Sequence, residues 1–135
     1  MPSVNSERRN ATILATVFLF PLVILCLLFL FKRSSEKRAA ADPAIYAAQS
    51  SPKVASQIGL PIEAGWSITG NILTSGNDGN ADLQIPLHGS HGQGMLIEWA
   101  QRQKGRWHLC SLQFNSAIGG KVILVDPGNS GCEPE

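Results

Sequence analysis

The sequence predicts an α+β domain, an N-terminal helix packed on an antiparallel meander of four to five strands, preceded by one transmembrane helix. Three observations predict it. An uncharged apolar run extends from Ala11 to Phe31. Between residues 43 and 58 the apolar positions recur at helical spacing behind helix-start signals. From Gly65 the apolar period falls to two, and glycine-bearing turns separate the alternating runs.

The apolar run ATILATVFLFPLVILCLLFLF is about 31 Å long as a helix, the thickness of a bilayer's hydrocarbon core. Pro21 removes one backbone bond, which membrane helices tolerate. The run is too long for a signal-peptide core, and Lys32, Arg33, Lys37 and Arg38 separate it from the small residues Ala39 to Ala41. Leu25 before Cys26 does not fit a lipoprotein site. The expectation is a retained single-pass anchor over 11–31, behind a short polar N-terminus over 1–10.

The net charge of +1 divides unevenly. Residues 1–38 carry six bases against Glu7 and Glu36; the remainder carries five bases against eight acids. The bases thus flank the apolar run, where anionic headgroups favour them. The rest has no basic stripe, which argues against nucleic acid as a partner. Positive-inside counting gives the C-terminal flank four bases against two, a margin that leaves the domain's side of the membrane open.

Residues 32–42 read as a juxtamembrane linker or helix continuation. Asp42-Pro43 and Ser51-Pro52 are helix starts, an N-cap followed by proline at the first helical position. The second piece, to Ile58, places Val54, Ala55 and Ile58 on one face, and Gly59 ends it. Trp66, Ile68, Gly70 and Ile72 then alternate with polar residues, as do Ala81, Leu83, Ile85 and Leu87 after the turn cluster TSGNDGN. Pro86 cannot donate to a ladder, so this second strand is expected at an edge or bulged there. Met95–Gln103 and Arg106–Phe114 form a hairpin about Lys104-Gly105. In the latter, Trp107 and Leu109 fall on one parity and Leu112 and Phe114 on the other, and a bulge near Cys110-Ser111 would reunite them. Lys121–Val125 is a fifth strand. The domain is thus expected over 43–126, with a disordered tail over 127–135.

Cys110 and Cys132 are open to a disulfide in an oxidising compartment, but one buried cysteine and one incidental tail cysteine is the preferred reading. His88, His91, His108 and Cys110 are the candidate metal ligands, without the paired spacing that marks a zinc or copper site. Exposed histidines are the simpler reading, and no metal or other cofactor is expected. Ser90-His91 lacks the nucleophile, base and orienter of a triad. Asp78, Asp82, Glu63 and Glu98 read as solvated surface. No catalytic residue is assigned. Trp66 and Trp107 are expected in the core, Trp99 in the core or on an exposed face. Partner contact is assigned to Trp99, His88 and His91.

From Ile58 to Phe114 the chain resembles the cytochrome oxidase complex assembly protein 1 family. The features that carry the resemblance are IGLPIEAGW, Gly70 before Ile72, GNADLQIPLHGSHGQGMLIEWAQR and GRWHLCSLQF. The resemblance implies a non-enzymatic, membrane-anchored accessory factor that helps assemble the respiratory terminal oxidase by protein–protein binding. It implies subunits of that membrane complex, and the lipid bilayer, as partners. A generic membrane-tethered interaction domain and a metal or redox carrier using histidine and cysteine are the alternatives. Glu7 makes the N-terminus a poor mitochondrial presequence, so a bacterial plasma membrane is expected over the mitochondrial inner membrane.

Overall fold

A computed structural model describes residues 4–132. Helix α1 spans Val4–Gln49 and α2 spans Pro52–Ile58. Six strands follow: β1 (Glu63–Ala64), β2 (Thr69–Ser75), β3 (Asp78–His88), β4 (Gln93–Gln103), β5 (Arg106–Ser116) and β6 (Lys121–Val125). The chain divides into two units, one ending at Ser35 and one beginning at Glu36.

The first unit is the N-terminal part of α1. Its apolar side chains from Ile13 to Phe31 are exposed, and the helix is long and apolar enough to cross a membrane. Residues 1–3 of the expected polar N-terminus lie outside the described residues. From Val4 the remainder is helical.

In the second unit, β1 and β2 pair in succession along β3, and β3, β4, β5 and β6 continue as an antiparallel meander. Two tight hairpins set the register. Lys104 and Gly105 both have positive φ, the geometry of a two-residue turn matched to strand twist. Gly76 supplies positive φ between β2 and β3. The bulge expected near Cys110 is present: Trp99 pairs with Ser111 while Ala100 pairs with Leu109. It brings Trp107 and Leu109 to the face that buries Leu112 and Phe114.

The core lies between this face and the helices. Leu83, Ile85, Leu96, Leu112 and Phe114 are almost wholly buried beneath a small-residue stripe of α1 (Ala40, Ala41, Ala44, Ala48, with Ile45) and beneath Val54 and Ile58 of α2. Ser51 caps α2, its hydroxyl accepting from the Val54 amide.

Four expectations are corrected. Of the two readings of residues 32–42, helix continuation holds and a separate linker does not, and Asp42-Pro43 starts no helix, because α1 runs through both. Proline frees the carbonyl four residues earlier, here that of Ala39, which lies on the exposed side of the helix, while the alanine stripe buries the opposite side. Trp66 is 92% exposed, because it falls in the break between β1 and β2 rather than within a strand. Pro86 lies in β3, an interior strand. Its carbonyl accepts from Gly65, so its missing donor faces the edge where β1 has ended and β2 has not begun. The tail is held: Asp126 caps a 3-10 turn at Pro127–Asn129, and Cys132 forms a disulfide with Cys110, so the reading with two unpaired cysteines is wrong. Residues 133–135 lie outside the described residues.

Candidate functional site

Alternation along β4 sends two sets of side chains to opposite faces. Leu96, Glu98 and Ala100 point into the core; Met95, Ile97 and Trp99 point outward. Cross-strand neighbours decide this assignment, because Leu83 pairs with Glu98 and polar Gln84 pairs with Ile97. On the outer face Met95 and Ile97 are 37% and 40% exposed, and Ile123 of β6, joined to Ile97 through Gln113, is 57% exposed. Trp99 is half-buried between Asp82 and Ser111. The result is an apolar stripe flanked by Gln84 and Asn115, with Gln113 standing between Ile97 and Ile123 and no helix of the described domain packed over it.

At the β3–β4 end the stripe opens into a cleft of about 540 Å³ lined by Pro86, His88, Met95 and Asn115, among others. His88 Nε2 lies 3.3 Å from a Glu63 carboxylate oxygen across the β1–β3 pair, both groups being exposed. The turn beyond is fixed tightly. The His91 amide donates to the Ile58 carbonyl at the end of α2, and Ser90 Oγ lies 3.1 Å from His91 Nδ1. A Cβ on Gly89 would collide with the Ile58 and Gly59 carbonyls, so only glycine fits there. Trp99 and His88 thus lie on or beside one surface, and His91 belongs to the turn that closes its end.

The proposed metal ligands are not brought together. His88 pairs with Gln93 at one end of β4 and His108 with Gln101 near the other, about 27 Å apart by strand rise. Cys110 is engaged with Cys132. Among the described residues no group of three or more His, Cys, Asp or Glu side chains is placed to hold a metal ion.

Sequence reasoning misplaced Glu98. It is 1% exposed, and neither carboxylate oxygen has a hydrogen-bond partner. Burial pushes its pKa from 4.5 up to about 8. Between Met95 and Ala100 both parities of β4 are apolar apart from this residue, and the larger side chains, Met95, Ile97 and Trp99, suggest the wrong face as core. The pairing of β4 with the unambiguous alternation of β3 is the signal that corrects it.

A family model described as cytochrome oxidase complex assembly protein 1 matches residues 12–126. Comparison with curated proteins and with solved structures gives no significant match.

Proposed function

The chain belongs to the cytochrome oxidase complex assembly protein 1 family, which implies a role in cytochrome oxidase assembly, and from that premise we propose that it is a membrane-anchored, non-enzymatic accessory factor that binds a subunit of the oxidase through the outer face of its sheet. The observation that carries the binding site is the exposed stripe Met95, Ile97 and Trp99 with Ile123. The part of these apolar side chains left on the solvent face costs solubility and gains nothing in the free domain, whereas a partner that covers it gains its burial. The amide border supplies donors and acceptors suited to a polar rim. His88 extends the contact at the cleft.

The Ile13–Phe31 segment holds the domain at the bilayer in this reading. The disulfide favours the oxidising side, the periplasm or its mitochondrial equivalent, over the cytoplasmic side. Basic residues then remain at both ends of the span, with Arg8 and Arg9 on the inner side.

Photo-crosslinking tests the surface. A photoreactive amino acid at position 97 in membranes should trap an oxidase subunit, and one at Asp42, an exposed position on α1, should not. Equal yields of the same adduct from both positions, or no oxidase subunit from either, would refute the assignment.

A further inference from the structure

Glu98 stands in a cross-strand row, Gly70 of β2, Leu83 of β3, Glu98 of β4, Leu112 of β5 and Val125 of β6. Leu83 and Leu112 flank it, and both of its carboxylate oxygens are buried without a partner. Lys37 Nζ donates to the Gly70 carbonyl at 2.9 Å, at the edge of this row. The turns of α1 that follow Lys37 contribute Ala40, Ala41, Ala44 and Ala48 to the same buried cluster as Leu83 and Leu112, the two residues that flank Glu98.

Among the described residues no ionisable group is paired with the carboxyl, and on α2 Lys53 is exposed. On α1, Lys37 is engaged with Gly70, Glu36 is half-buried, and Arg38 and Asp42 are exposed. On β3, Asp78 and Asp82 are exposed; on β5, Arg106 and His108 are exposed. Along β4, Arg102 is about 13 Å away by strand rise, with its guanidinium 6.0 Å from the Trp107 ring.

We propose that Glu98 makes residues 36–49 of α1 a proton-linked flap, closed on the sheet while the carboxyl is protonated and released when it ionises. The flap is held by four alanines and Ile45, by Lys37 on the Gly70 carbonyl and by Gln49 Nε2, which donates to the Ile62 carbonyl at 3.1 Å. Each alanine contributes one methyl group, so its hold on the sheet is small per residue. The sheet beneath is tied by continuous ladders and by Cys110–Cys132. Water therefore reaches Glu98 at least cost by local opening of α1 rather than by unfolding of the sheet.

The pH dependence has a definite sign. In the closed state the carboxyl titrates at about 8; exposed by opening, it returns to 4.5. Opening then releases a proton, so the opening constant rises about tenfold per pH unit between these values and levels off above the higher one.

Hydrogen exchange on the full chain in detergent micelles tests this. Between pH 6 and pH 7.5 the amides of residues 40–49 should accelerate about 24-fold beyond the intrinsic increase, and should exchange faster than those of Leu96 and Leu112. In Glu98→Gln the excess should vanish. Glu98→Leu provides the same comparison if the amide variant fails to fold. The proposal is overturned if the excess is absent from the wild-type chain, if it survives in the variant that folds, or if residues 40–49 exchange at the rate of Leu96 and Leu112, which would mean one global event.

Discussion

Replacing Cys132 with serine isolates the contribution of the C-terminal tie. The disulfide joins residues 22 apart, Cys110 in the β5 bulge and Cys132 beyond the 3-10 turn. For a loop of that length, the entropy removed from the unfolded chain corresponds to about 3.4 kcal/mol at 25 °C. A domain of this size gains only some 5–15 kcal/mol in total from folding, so the loss is a large fraction. The assay is urea unfolding of the full chain in detergent micelles, followed by tryptophan fluorescence, in which Trp107 reports the core edge. The midpoint should fall by about 1–3 M. Dithiothreitol should lower the wild-type midpoint by the same amount and leave Cys132→Ser unchanged. A wild-type midpoint indifferent to reductant would refute the reasoning, and with it the argument that places the domain on an oxidising side.

Three further predictions follow from particular contacts. Glu98 takes up a proton more readily folded than unfolded, so stability is greatest at or below pH 4.5, falls by about 1.4 kcal/mol per pH unit up to about 8, and is level beyond; Glu98→Leu should abolish that slope and raise the urea midpoint at pH 8, by about 5 kcal/mol in stability. Gly94→Ala should cost about 1–3 kcal/mol in the same unfolding assay, because a Cβ there meets the Asn115 carbonyl and the Phe114 ring at 2.5 Å. His88→Ala should change stability by less than about 1 kcal/mol, since its contact with Glu63 is exposed on both sides.

Much of the fold is legible because the strands alternate cleanly. Ala81, Leu83, Ile85 and Leu87 announce one buried face, and the parity change between Leu109 and Leu112 requires the bulge that occurs. Local signals fail where tertiary contacts override them. Asp42-Pro43 is a good helix start, yet the chain is already helical there because Ala40, Ala41, Ala44 and Ala48 bury one continuous stripe. The sequence around Trp66 alternates like a strand, but β3 is paired there by two short strands with Trp66 between them. The candidate surface was half visible. The sequence marks Trp99 and His88 for contact, but Met95 and Ile97 share the parity of Trp99 and fit either face, and the pairing of β4 with β3 separates the faces. That same ambiguity concealed Glu98.

The central claim is that this domain serves terminal oxidase assembly through its outer sheet face. The direct measurement is oxidase activity and haem content of membranes from a strand-face variant, Met95→Ser with Ile97→Asp and Trp99→Ser, expressed in cells lacking the native gene. The account predicts low activity and haem in the deletion, restoration by the wild-type chain, and no restoration by the variant although it still unfolds in a cooperative urea transition. Normal oxidase activity and haem in the deletion, or full restoration by the folded variant, would contradict it.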